Sequence, residues 1–320
     1  GIELAFLDVE AGSRLPGTQP SGYVRCISWS PDGKYIAGET LRPQEPDRSI
    51  RVIDARTLEP VDVFTGHYNF ILSVTWSDDS QRVISSCWDH TVRIWELGKP
   101  REQLVIPCAS EPYQVAWNSS NQQLAITEED RVRVVDGTSQ AIPSWWGLGD
   151  IAEIRWSPDS SQILSTCFSG SVSVWVPGRE KRVTGFVNGS GTAAHSGCWS
   201  PDGNRVAIAT TDIVIWNVAE RKELRRLDGH KGEVFSVDWS PDGKFLASCD
   251  GDGTVRLWNV DSGNEEASVA LPKGAVDYWH IDVRWSPDPA AQRLAVSHGG
   301  QVYILDAKSL ATIQTLESPE

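Results

Sequence analysis

Two sets of side chains in this sequence have the residue types of a nucleophilic catalyst: His67 with Ser85 and Asp89, and His230 with Ser248 and Asp252. A serine activated by a histidine, itself oriented by an aspartate, is the arrangement of acyl-transfer chemistry. The set nevertheless occurs twice, with His and Asp 22 residues apart in both copies. A catalytic centre is needed once, so a duplicated set points to a structural role. The histidines His195, His280 and His298 lack a second ligand at helical or hairpin spacing, and the six cysteines form no CxxC pair. Neither a metal site nor a disulfide framework is therefore expected. No GxGxxG turn between a strand and a helix occurs, nor a GxxxxGK phosphate loop. The chain reads as a non-enzyme with no cofactor.

The formal charge of −14 and the pI near 4.9 argue against a nucleic-acid partner, which is held by clustered Lys and Arg. The dense basic cluster, Arg221-Lys222 with Arg225-Arg226, reads as a solvated outer strand. An acidic field steers basic or neutral partners instead. No apolar run approaches the roughly 18 to 20 residues that cross a bilayer, so no membrane span is expected. Few cysteines without a pairing pattern suggest free thiols in a reducing, cytoplasmic setting, with the nucleus left open. Asn118-Ser119-Ser120 and Asn188-Gly189-Ser190 match the glycosylation sequon, a motif short enough to arise by chance. Gly1, in a chain without methionine, suggests a processed or excised segment.

The elements that hold these residues come from a repeat. ISWSPDG, VTWSDDS, VAWNSSN, IRWSPDS, GCWSPDG, VDWSPDG and VRWSPDP recur at Trp29, Trp76, Trp117, Trp156, Trp199, Trp239 and Trp285, with spacings of 47, 41, 39, 43, 40 and 46. Each copy is followed by a second alternating run, a short turn, a third run such as TVRIW or TVRLW, and a fourth, more polar run. Short runs with Val, Ile and Trp at alternate positions, punctuated by Pro-Asp-Gly and Asp-Gly, read as strands joined by tight turns. The unit is a four-stranded antiparallel sheet. One such sheet cannot bury both faces, so neighbours must stack, and seven can close radially. The expected fold is all-β, a single seven-bladed β-propeller over residues 1–320.

The GH…WS…D…W pattern resembles the WD40 repeat family over nearly the whole chain. Two units carry it fully: Gly66-His67, Asp89 and Trp95, and Gly229-His230, Asp252 and Trp258. The resemblance implies a hydrogen-bonded chain from Trp through Ser and His to Asp inside a blade. Its members would be Trp95, Ser85, His67 and Asp89 in one unit, and Trp258, Ser248, His230 and Asp252 in the other. The other five units depart from the pattern, with Ile53, Val135 and Leu305 at the third-strand Trp and no aligned Asp beside Trp175 or Trp216. These blades are expected to rely on apolar packing. Residues 1–20 read as third and fourth strands, which either close the ring with the last blade, as family propellers do, or belong to a preceding repeat.

The resemblance also places binding residues on one rim, at the start of each first strand, two residues later, and before the second hairpin. Counting back from the first-strand Trp gives Tyr23, Arg25, Phe70, Leu72, Glu111, Tyr113, Asp150, His195, Glu233, Phe235 and Trp279, and the hairpin position gives Trp88 and Phe168, with His298 near it in the last unit. Exposed aromatic and Arg side chains are the composition of interaction hot spots. With acids among them they suit a peptide or loop of a partner protein that has apolar anchors and Lys or Arg. The expected function is an interaction scaffold, monomeric or part of a larger chain. A sensor or autoinhibitory domain of a larger signalling protein and a small-molecule or glycan binder are the alternatives. Two loops add to the rim: SWWGLGD at 144–150, where one of two adjacent tryptophans would face outward, and TLRPQEPDRS at 40–49, a long hairpin loop.

Overall fold

The computed structural model describes residues 26–40, 48–57, 59–99, 102–118, 120, 122–129, 131–136, 141–145, 150–178, 184–187, 192–272, 281–298 and 301–316. Among these, seven four-stranded antiparallel sheets form in chain order, each from four consecutive strands. The protein is a seven-bladed β-propeller. The first strands, Ile27–Trp29, Ile71–Trp76, Pro112–Asn118, Ile151–Trp156, Ser196–Trp199, Val234–Trp239 and Asp282–Trp285, pack side by side around the centre, and the last contacts the first. The fourth strands, such as Lys222–Leu227 and Thr312–Leu316, form the outer edges. Blade 7 takes all four described strands from Asp282–Leu316. Residues 1–20, the candidate closing strands, lie outside the described residues. No helix among the described residues is long and apolar enough to cross a membrane.

The WSPDG repeat is a wired turn. In blades 1, 2, 4, 5 and 6 the Ser hydroxyl donates to the Asp carboxylate two residues on, as from Ser30 to Asp32 (2.7 Å) and from Ser77 to Asp79 (2.5 Å). The same oxygen accepts the backbone N–H five residues on, from Tyr35, Arg82, Gln162, Arg205 and Phe245. The turn needs a left-handed residue, which is glycine at Gly33, Gly203 and Gly243 (φ 70°, 71° and 72°) and serine at Ser80 and Ser160 (φ 57° and 63°). Blade 3 uses Asn118 instead. Its carboxamide oxygen accepts from Ser120 N, and its nitrogen donates to Ser160 O on blade 4. Asn118 is therefore 1% exposed, and its sequon is closed in the folded protein.

The apolar core consists of seven clusters, one between each pair of neighbouring blades. Ile27, Trp29 and Ile36 of blade 1 meet Ala295, Val302 and Ile304 of blade 7, so the ring is closed by the same packing that stacks every other pair. The first-strand tryptophans add polar stitches. Trp76, Trp156 and Trp199 donate their indole N–H to the carbonyls of Ser28, Ala116 and Arg155 on the preceding blade (3.1, 2.9 and 3.2 Å).

Candidate functional site

His67 ends the fourth strand of blade 1, Pro60–His67, and reaches into blade 2, where Asp89 Oδ2 lies 2.7 Å from its Nδ1, Ser85 Oγ lies 2.8 Å from its Nε2, and Trp95 Nε1 lies 2.9 Å from Ser85 Oγ. An indole only donates and a hydroxyl carries one proton, which leaves one arrangement that satisfies every atom. Trp95 donates to Ser85, Ser85 donates to His67 Nε2, and His67 Nδ1–H donates to the Asp89 carboxylate. His67 must be neutral for this, and its burial lowers its pKa accordingly. Asp89 is held down to about 2: burial works to raise it, and the hydrogen bonds from His67 and Thr91 outweigh that. The ligand atoms of His67, Cys87 and Asp89 lie within 4.8 Å of one another, a reach that could suit a metal ion. Both His67 nitrogens are already in hydrogen bonds, and burial pushes the Cys87 thiol up to about 12. The set does not fit a metal.

Blade 6 repeats the chain with one correction. Trp258 donates to Ser248 (2.8 Å) and Ser248 meets His230 Nε2 (2.7 Å), but the carboxylate on His230 Nδ1 belongs to Asp250 (2.9 Å), not to Asp252. The second strand of blade 6 ends on Asp250, whereas that of blade 2 ends at Cys87 and its Asp sits in the turn beyond. Both routes bring a carboxylate to the histidine. Asp252 is exposed, and its backbone N–H donates to Asp250. Two of the blades expected to rest on apolar packing also hold polar groups. Trp175 donates to Ser165 in blade 4 (2.9 Å), and in blade 3 the buried Glu128 takes ion pairs from Arg131 and Arg133 (3.1 Å each).

The centre of the ring is a cavity of about 560 Å³. Its mouth is lined by Leu72, Trp88, Tyr113, Phe168, His195 and Phe235. Trp88 and Phe168 occupy one structural position, since their backbone N–H groups donate to Phe70 O and Asp150 O (2.9 Å each), as Gly251 does to Glu233 O (3.3 Å). At Gly251 a side chain is excluded, because an added Cβ would stand 2.8 Å from the Phe235 ring. Tyr113 and Phe168 are 44% and 50% exposed. Phe70 is half-buried and meets Trp88 edge-on at 5.4 Å. Asp150 and Glu233 are exposed beside the mouth, and Glu111 is partly so. His298 packs over Gly253 rather than into the mouth. Tyr23, Arg25 and Trp279, with Trp146 and most of the 40–49 loop, lie outside the described residues.

Sequence reasoning passed over the belt below the mouth. One and three residues before the first-strand Trp, blades 4 and 7 carry Glu153, Arg155, Asp282 and Arg284, which line the cavity, and blade 6 carries Asp238 at the same register. Arg284 Nη2 crosses from blade 7 to Glu153 on blade 4 (3.0 Å), and Arg155 pairs with Glu153 (2.8 Å) and reaches Asp238 (3.8 Å). Asp282 takes Ser236 (2.5 Å) and Arg284 (2.8 Å). Burial works to raise Glu153, but Arg155 and Arg284 outweigh it and hold the carboxyl down; burial lifts Asp238 and Asp282. Alternation in the first strand, with charges where other blades have Ser, Thr, Cys, Ala or Gln, was the available signal.

Residues 13–54, 58–96, 147–176 and 221–259 match the family model described as WD domain, G-beta repeat. Four segments of the chain thus match WD40 repeats. The matched segments include the first three strands of blades 1, 2, 4 and 6, among them the three blades where an indole bonds a second-strand serine. The chain is similar to the transcriptional corepressor LEUNIG_HOMOLOG of Arabidopsis thaliana, at 24% identity over 74% of this chain and 30% of that protein. It is similar to WD repeat-containing protein 1 of Bos taurus, at 23% over 77% of this chain and 42% of that protein. With apoptotic protease-activating factor 1 of Rattus norvegicus the identity is 24% over 88% of this chain and 19% of that protein. The matches thus span less than half the length of each of these relatives.

Two outcomes follow from the WD40 polar chains. Asp250→Ala should lower stability by about 1 to 3 kcal/mol, the cost of orphaning a buried donor, while Asp252→Ala stays within about 0.5 kcal/mol; urea midpoints compare them. Because the folded pKa of Asp89 is about 2 against an ordinary 3.8, its contribution is complete above the unfolded value and drains as pH falls from 3.8 to about 2. Stability measured across that window should fall by about 2 kcal/mol more in wild type than in Asp89→Asn. Parallel profiles would contradict the pairing.

Proposed function

We propose that this propeller is a non-enzymatic scaffold that holds a peptide or loop of a partner protein on the aromatic and acidic mouth of its ring. The observation that carries the reading is the exposure of Tyr113 and Phe168, 44% and 50%, at the same opening that Trp88 and Phe235 reach from other blades. Large rings left in water at one concave opening have the makeup of a hot spot awaiting a partner. The ion pair between Arg284 and Glu153 bridges the channel below, so a bound segment lies across the mouth and does not thread it. The charge of −14 disfavours nucleic acid and favours a partner with basic and apolar anchors. Six cysteines in no disulfide, five of them buried, suit a reducing cytoplasmic or nuclear setting. The name of the plant relative, a transcriptional corepressor, is compatible with a scaffold that works through other proteins.

The relatives are longer than the matched segments, which supports a second reading in which such a propeller serves as the sensor or autoinhibitory domain of a larger signalling protein. Both readings use the same mouth.

Peptides selected from a displayed random library on the wild-type propeller test the reading. Tyr113→Ala with Phe168→Ala should weaken the selected peptides at least tenfold, the loss of a hot spot, with the unfolding midpoint unchanged because both rings are exposed. This pair separates binding from folding better than Phe70 and Trp88, which pack on each other. Undiminished binding by the double variant would overturn the reading.

A further inference from the structure

We infer that the mouth is sided: blades 4 to 6 seat a Lys or Arg side chain of the partner, and blades 1 and 2 take its apolar anchor and refuse a cation. This rests on the reading of the mouth as the docking site and adds the direction in which the segment lies.

Over blades 4 to 6, three rings come one from each blade. Phe168 and His195 are edge-on with centroids 5.8 Å apart, and His195 and Phe235 are tilted at 4.5 Å. Glu233 stands beside them, its carboxylate 3.1 Å from His195 Nε2 and its side chain 49% exposed. Asp150 is exposed and adjoins Phe168 through the hydrogen bond from Phe168 N to its carbonyl (2.9 Å). The Phe168 ring, 50% exposed, with the Glu233 carboxylate beside the rings and the exposed Asp150 nearby, favours a cation twice over, through the ring quadrupole and through charge.

The opposite side is built otherwise. The Arg48 guanidinium lies 4.2 Å from the centroid of Phe70, and the Trp88 ring stands edge-on to Phe70 at 5.4 Å. The protein supplies its own cation there, and an incoming one would meet like charge. The complementary segment therefore has a basic residue over blades 4 to 6 and an apolar residue across the channel.

The test uses the whole propeller with its seven phenylalanines replaced biosynthetically by 4-fluorophenylalanine, each resonance assigned by substitution. The probes are N-acetyl-arginine amide and its neutral isostere N-acetyl-citrulline amide. The arginine probe should shift the fluorine signals of Phe168 and Phe235 saturably and leave that of Phe70 in place, with citrulline binding more weakly. Phe168→Ala should weaken the arginine probe about two- to fivefold, the value of one exposed cation–ring contact, and Glu233→Gln should narrow the gap between arginine and citrulline. Equal response to both probes, a shift at Phe70 of the same size, or no response at any ring would overturn the sidedness. None of those results touches the loss of selected peptides in the Tyr113 and Phe168 double variant, so the two ideas fail separately.

Discussion

A four-stranded sheet of 20 or so residues has two apolar faces and nothing of its own to cover either, and the rest of the structure follows from that constraint. Each blade is buried by its neighbours, which is why the core is divided into seven clusters and not gathered into one. The cluster between blades 7 and 1 leaves no face uncovered. Radial stacking then turns every first strand inward around a cavity and delivers the connections before the first and third strands to one rim. The same constraint that makes the fold closed makes the mouth available: side chains there point away from the stacked faces, and folding asks nothing of them.

Burial between sheets makes polar groups expensive unless they are paired. Blades 2 and 6 meet this with a chain that ends on a carboxylate, blade 4 keeps only the indole and hydroxyl, and blade 3 uses Glu128 with two arginines. These are different solutions to one problem of satisfaction, which explains how the repeats can drift in sequence while the blades stay alike. The two tryptophans of SSCWDHTVRIW divide on the same principle. Trp95 is 1% exposed and bonded within its blade, and Trp88 stands at the mouth with no partner for its N–H among the described residues.

The period of the seven tryptophans was enough to read seven blades, because strand alternation and turn chemistry are local. The polar chain of blade 6 was misread by two residues. Counting from His230 and Trp258 selects Asp252, but the second strand runs on to Asp250, and that is the carboxylate that meets His230. The channel belt escaped for a different reason. Arg284 and Glu153 are 131 residues apart, and no local pattern announces that two charges will meet across a ring. Mouth positions could be counted from the repeat, whereas the ring contacts Phe168–His195–Phe235 join three blades and needed coordinates.

The central claim is that partners dock on the mouth and not on the outer edges, although the outer strands also expose apolar residues such as Leu224 and Ile313 (44% and 50%). The direct measurement is photo-crosslinking in cells with benzoylphenylalanine placed at Phe168, at Leu224 or at Ile313, followed by identification of the attached peptides. The account predicts a discrete protein cross-link from position 168 and background labelling from 224 and 313. A specific cross-link from the outer strands with none from 168 would contradict it.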